Sequence, residues 1–237
     1  EVVDGGCVCI VQCNGLKPPA ELERAAARAG VPLLTSTRNG MEVINVLRPY
    51  LQAELGEVTS LHGVLLDVLE LGVMITGESS IGKSELALEL ISRGHGLVAD
   101  DVVELQRVTP DTVQGRCPAL LRDFLEVRGL GVLNIRSIFG ETAVRPHKVL
   151  RLVVHLEHAA NGRFEERDRL ATRSGTQRIL GVDIPTVTLT VAPGRNLAVL
   201  VEAAVRNHIL IMRGIDSTAE FIARQEKLIS DAEEKGG

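Results

Sequence analysis

The chain has no tryptophan, one tyrosine and four phenylalanines in 237 residues, so it offers little aromatic surface on which bases could stack. A cationic excess is missing too. Against 31 Asp and Glu stand 26 Lys and Arg, a formal net charge of −5, without the basic footprint of a nucleic-acid binder. Nucleic acid is therefore not an expected partner. No apolar run is long enough to span a bilayer and no signal-peptide pattern is present, so the expected location is the cytoplasm, with no membrane partner. Internal repeats and low-complexity segments are absent as well. Cysteine is scarce, and three of the four residues, Cys7, Cys9 and Cys13, share one strand-like stretch. A zinc site needs a fourth ligand, and no further His or Cys lies nearby at a suitable spacing. Their common parity puts all three on one face of a strand, where reduced, buried thiols would pack as small hydrophobes. The sequence starts at Glu1 rather than Met, so residues upstream of it are expected.

What is present is ordinary globular material. A hydrophobic fraction of 45% and a charged fraction of 24% suit a folded chain with a substantial core. The length allows one large or two small domains. The most informative stretch is residues 73–93. An apolar run, Val73 to Ile75, enters Gly77-Glu78-Ser79-Ser80-Ile81-Gly82-Lys83-Ser84, which fits the phosphate-loop pattern of two glycines followed by Lys and Ser. Leu86 with Leu90 and Ala87 with Ile91 then repeat at i, i+4, and Gly94 stands where a helix would end. Strand, loop and helix are the context this chemistry requires. The loop amides would curl around phosphate oxygens, the helix N-terminus would add its dipole, Lys83 a charge, and Ser84 a hydroxyl for a divalent cation.

Along the chain, a strand over 7–12, a helix over 20–29 closed by Gly30, and a strand over 31–35 read as a short βαβ unit. A helix over about 41–55 carries Pro49, and the polar stretch 56–60 sets a domain boundary near 58. The expected fold class is thus α/β, with residues 1–58 a small unit and 59–237 a phosphate-loop domain. Residues 61–68 and 73–76 read as two strands. A hairpin centred between Glu70 and Leu71 would set His62 opposite Ser79, inside the loop; the other reading is a hydrogen-bonded histidine at a strand end. Residues 96–99 form a short strand ending in Asp100-Asp101. Such a pair either faces a metal or nucleophile, as in a Walker-B arrangement, or caps a turn.

Residues 124–135 alternate so that Glu126 and Arg128 share one face of a strand, and Gly129 and Gly131 suggest close approach of backbone or ligand. Either Glu126 is a Mg²⁺ carboxylate and Arg128 a phosphate contact, or the two form an exposed ion pair. Strands are expected over 149–156 and 186–191, with a loop dense in charge over 157–178 between them. Such a loop is either simply solvated or brings an arginine to a transferring phosphoryl group. After Ala192-Pro193-Gly194-Arg195-Asn196 a helix runs to about Met212, with Asn196 as N-cap. That turn either holds an anion beside Arg195 or merely joins strand to helix. A C-terminal amphipathic helix over 217–233 carries Phe221, Ile222, Leu228 and Ile229 on its apolar stripe.

Leu61-His62-Gly63-Val64-Leu65-Leu66-Asp67-Val68, the phosphate loop with Ser84-Glu85, Ala99-Asp100-Asp101, Glu126-Val127-Arg128-Gly129-Leu130-Gly131, Asp168-Arg169-Leu170 and Pro193-Gly194-Arg195-Asn196-Leu197-Ala198 together resemble the bacterial HPr kinase/phosphorylase family. The likeness runs through most of residues 58–222, and residues 1–58 look like the end of that family's N-terminal domain. The resemblance implies a kinase core similar to phosphoenolpyruvate carboxykinase, assembled as a homo-oligomer, a hexamer. It implies Mg²⁺- and ATP-dependent phosphorylation of a serine on HPr, the carrier of the sugar phosphotransferase system. It also implies the reverse attack of inorganic phosphate on phosphoserine, giving pyrophosphate. Carried residue by residue, Lys83 and the loop amides hold phosphate, and Ser84 and Glu126 bind Mg²⁺. Asp101, with Asp100 beside it, is the acid–base group, and His62 senses phosphate charge. Arg169 clamps the phosphoryl group, while Arg128 and Arg195 line its path. Two other functions use the same loop: a small-molecule phosphotransferase of carboxykinase type, and a regulatory module in which nucleotide only switches shape or assembly.

Overall fold

The computed structural model describes residues 6–158 and 174–236, with 52, 53, 226 and 228–236 given by backbone alone. Residues divide into two compact units, Glu1–Gly56 and Glu57–Gly237. In the first, β1 (Ile10–Gln12) pairs in parallel with β2 (Leu33–Thr35) across helix α1 (Ala20–Ala29). That is the expected βαβ unit. Gly30 ends α1 in the left-handed region, its N–H donating to the carbonyls of Ala26 and Ala27. Helix α2 (Gly40–Leu55) starts with a reciprocal cap: the Glu42 amide donates to Asn39 Oδ1 at 2.9 Å, and the Asn39 amide donates to Glu42 Oε2 at 3.3 Å. Ala26 is the one buried residue among those described in this unit. The expectation of buried cysteines fails here: Cys9 is exposed and Cys7 and Cys13 are half-buried. The strand begins only at Ile10, and two strands of three residues cannot cover a row of thiols.

The second unit is built on one curled sheet. Its strands are β3 (Val58–His62), β4 (Val64–Val68), β5 (Leu71–Gly77), β6 (Gly96–Ala99), β7 (Val102–Thr109) and β8 (Thr112–Arg116), and, beyond the β9–β10 hairpin described below, β11 (His147–His158), β12 (Ser174–Ile179) and β13 (Val182–Val191). The order β3-β7-β8-β11-β5-β4-β6 is extended by β13, which joins β11, and by β12 on β13. The twelve-residue β11 is the joint. Its first residues pair antiparallel with β8, and its last six pair in parallel with β13. Curling gives β4 and β5 a partner on both faces, which explains why every residue of β4 is buried. Val64, Leu66, Val73 and Ile75 point to one core with helices α3 (Lys83–Ser92) and α5 (Leu197–Met212); Leu65 and Met74 point to another with Val103, Leu105 and Val113. Leu86, Leu90 and Ile91 of α3 fill the first core, each burial contributing roughly 1.5–3 kcal/mol. Just beyond α3, Arg93 and the buried His95 both meet Glu202 of α5, at 2.7 and 2.9 Å. The hydrogen bond from Arg93 is the main reason the Glu202 carboxyl falls to about 2. Helix α6 (Ser217–Gly236) ends the chain with Phe221 and Ile222 exposed.

Several local expectations change. The β4–β5 turn is Leu69-Glu70, both with positive φ, so Val68 opposes Leu71 and the hairpin centre lies one residue earlier than expected. The run 61–68 also breaks at Gly63, and His62 ends β3 opposite Val102 rather than facing Ser79. Residues 124–135 are not one strand. β9 (Phe124–Val127) and β10 (Gly131–Asn134) form a hairpin, with Arg128-Gly129-Leu130 as its turn, before the short helix α4 (Ile135–Phe139). Gly129 and Gly131 have open space around them, and positive φ rather than a close neighbour calls for glycine there. The charged stretch 159–173, with Arg169, lies outside the described residues.

Gly72 marks the tightest seam of the sheet, since a Cβ there would sit 2.1 Å from the Val149 carbonyl oxygen of β11. Gly72→Ala should lower the urea midpoint by the equivalent of about 1–3 kcal/mol. A midpoint within error of the original would show that β5 and β11 part freely at this point.

Candidate active site

Strand β6 runs antiparallel to β4, which runs antiparallel to β5, and β5, β11 and β13 are parallel. Four strands therefore end on one edge of the sheet, the edge where α/β folds place ligands. Three of the predicted motifs leave from it: the loop from β5, the Asp pair from β6, and the Pro193–Asn196 turn from β13.

Gly77 is held so close to β11 that a Cβ would lie 2.6 Å from the Leu156 carbonyl oxygen. Ile81 is buried and anchors the loop, and Gly82, at φ 98°, turns the chain into α3. No side chain caps α3, so its first amides remain for a ligand, with the helix dipole behind them. Lys83 Nζ donates to the carbonyls of Gly77 and Glu78 at 3.1 and 2.9 Å, which folds its charge over the mouth of the loop.

The Asp pair splits into two roles. Asp100 is buried; its Oδ1 accepts from Ser84 Oγ at 3.2 Å and its Oδ2 from the Glu126 amide at 2.9 Å. Burial raises its pKa, opposed by those two hydrogen bonds. Asp101 takes the opposite position. A hydrogen bond from the Val102 amide to the Asp100 carbonyl, 2.8 Å, closes a three-residue turn that holds Asp101 at φ 63°. A non-glycine residue in that region is strained, which is common where a side chain must be presented. The Asp101 side chain is 73% exposed, and its Oδ1 lies 3.6 Å from Nδ1 of His62.

The β9–β10 hairpin closes the site from the other side. Arg128, in its turn, donates to Ser80 Oγ at 3.0 Å and so ties the hairpin to the loop. Between them lies a cavity of about 420 Å³, walled by Ser79, Ser80, Lys83 and Ser84, by Asp100 and Asp101, and by the hairpin from Glu126 to Gly131. The structure thus brings together most of the residues singled out from sequence. His62 flanks Asp101 rather than the loop. Arg195 is exposed on its turn, outside the cavity wall, with Nη1 donating to the Thr190 carbonyl at 3.3 Å; Asn196 caps α5 by accepting from the Val199 amide. Glu85 and Cys117 were not anticipated. Glu85 joins the cavity wall, and Cys117 is buried against the Asp100 amide, its thiol pushed up to about 11 by burial. Nothing local marks a cysteine beside Pro118 as the neighbour of an amide some 17 residues earlier in sequence.

A phosphate-type loop, a paired acid at a strand end and an arginine hairpin on an α/β core are parts of the kind that phosphoryl transfer uses. Comparison with known proteins makes this specific. The family model described as HPr Serine kinase C-terminal domain matches residues 53–225, and that for the HPr Serine kinase N terminus matches residues 1–51. An HPr kinase/phosphorylase of Chromobacterium violaceum is 59% identical over 224 residues, covering 94% of this chain and 70% of its own. That of Nitrosomonas europaea is 57% identical over 218 residues, covering 92% and 68%. The solved HPr(Ser) kinase/phosphatase from Coxiella burnetii is 37% identical at a TM-score of 0.61, with 69% of this chain and 98% of that one covered. The chain belongs to the HPr kinase/phosphorylase family and is an enzyme of that kind.

Because its pKa is raised, Asp100 adds stability below pH 3.8 that is lost as pH rises through its folded-state value. Asp100→Asn keeps the shape but removes the ionisation. The variant should therefore gain stability over the parent chain between pH 3.8 and neutrality, seen as a difference in urea midpoint that grows with pH. A difference independent of pH would mean that burial does not burden this carboxylate.

Proposed function

We propose that residues 59–237 catalyse transfer of the γ-phosphoryl group of ATP to a serine of HPr, and the reverse phosphorolysis, with residues 1–58 ending an N-terminal domain. The observation that carries this reading is the division of the Asp pair: Asp100 is engaged by Ser84 and the Glu126 amide, whereas Asp101 stands exposed at the cavity. The loop amides and Lys83 hold the β-phosphate of ATP, or pyrophosphate after phosphorolysis. In the forward direction Asp101 takes the serine proton as the serine oxygen bonds to phosphorus and ADP departs. In reverse, inorganic phosphate attacks the phosphoserine, the P–O bond to serine breaks, and protonated Asp101 returns the proton to that oxygen. His62, whose Nδ1 lies 3.6 Å from Asp101 Oδ1, is placed beside the base to sense phosphate charge.

The donor set suits Mg²⁺. Ser84 and Glu126 line the same cavity, and this ion usually takes only one or two carboxylates, the rest of its shell being water and substrate phosphate. Ser84 and Glu126 would hold Mg²⁺, which would supply charge neutralisation on the phosphates. Arg128 is tied to the loop and would contact phosphate, and Arg195 would receive the incoming phosphate on the same sheet edge. Arg169, by resemblance, clamps the phosphoryl group. A homo-hexamer in the cytoplasm is the assembly this reading expects; among the described residues no helix is long and apolar enough to cross a membrane.

Incubation with Mg²⁺-ATP and HPr, followed by mass measurement, should place one phosphate on a serine of HPr. Adding inorganic phosphate to phosphorylated HPr should release pyrophosphate. Intact ATP binding without labelling of HPr would leave the regulatory module or the small-molecule transferase instead. Asp101→Asn should bind ATP normally while losing at least about a hundredfold in both directions; undiminished turnover would remove the base from this residue. Arg195→Ala should reduce phosphorolysis more than phosphorylation, because free phosphate has fewer anchors than ATP. Equal losses would count against that role.

A further inference from the structure

The phosphate loop has two flanks. Towards β6 lies the cavity with Asp101, Glu126 and Arg128, which the reading above assigns to serine, metal and phosphoryl group. The nucleoside of ATP must leave the loop on the other flank, over β11 and β13. There the strand register sets Thr76, His155 and Thr188 side by side in one row across β5, β11 and β13. By the alternation of strands this row shares its face with Met74 and Val153, both fully buried, so it starts where the apolar packing of that face stops. Thr76 Oγ1 lies 3.0 Å from His155 Nδ1, a contact that fixes the orientation of the ring. His155 is exposed although Val154 and Leu156 beside it are buried. Neighbouring strands are about 4.8 Å apart, so the row is about 10 Å long, the span of a nucleoside. It begins one residue before Gly77.

We propose that Thr76, His155 and Thr188 form a shelf for the nucleoside of the phosphoryl donor. The imidazole stacks on the base, as histidine does on nucleobases elsewhere, and the threonine hydroxyls meet the sugar and base edges. This rests on the loop being an ATP site. It adds a consequence the phosphate site alone lacks. Inorganic phosphate and pyrophosphate carry no nucleoside, so the shelf serves only the ATP-driven direction, and a general loosening of the fold would not show that asymmetry.

The test compares ATP with inorganic tripolyphosphate, which presents the same phosphate chain without a nucleoside, by calorimetry on the full chain. His155→Ala should weaken ATP binding about tenfold while tripolyphosphate binding changes by less than about twofold. His155→Phe should recover most of the loss, and Thr188→Val should lose part of it. The KM for ATP should rise in step, with the KM for phosphate in phosphorolysis held. Equal weakening of ATP and tripolyphosphate would place His155 in the phosphate loop's support and overturn the shelf, as would unchanged ATP binding. If the parent chain binds ATP but does not label HPr, the functional reading fails while this comparison still decides the shelf.

Discussion

One buried carboxylate holds the site together. Asp100 accepts from the hydroxyl of Ser84, at the start of the loop helix, and from the backbone of Glu126, on the hairpin, while its own residue ends β6. Three elements far apart in sequence are thereby fixed to within a hydrogen bond of one another. The cost is desolvation of a charge, visible in the raised pKa. Removing either donor would leave a buried charge with an unmet lone pair, which is more expensive than never having buried it. Placement and charge complementarity are most of what phosphoryl transfer asks of a protein, so on the proposed reading rigidity here serves the reaction.

The same contact sets the two acids apart and underlies the role proposed for Asp101. A carboxylate that already satisfies two donors is poorly suited to take a proton from a substrate. Its neighbour, forced by a tight turn to face outward, is well suited. Strain at Asp101 and burial at Asp100 are two aspects of one backbone geometry: the reversal between β6 and β7 points consecutive side chains in opposite directions.

Legibility in the sequence followed locality. The strand, loop and helix from Val73 to Ile91 were readable because the glycines, Lys83 and the helical repeat lie within twenty residues and each has its own physical reason. Asn196 was readable as a cap for the same reason. The β4–β5 register was not, since Leu69 and Glu70 adopt positive φ without the glycine or asparagine that usually announces such a turn. The 124–134 hairpin looked like one strand because its alternation continues across the turn. Cys117 and the Arg93–Glu202–His95 cluster depend on contacts between distant segments, which no local pattern encodes.

Strand β11 ties the two parts of the sheet into a single mechanical unit. At its start it is bonded to β8, at its end to β13, and along most of its length to β5. Neither core can come apart by peeling an edge, because the strand they share is interior to both. The amides of β11 should therefore open only when the whole unit does, so that the floor beneath the phosphate loop is as durable as the fold itself.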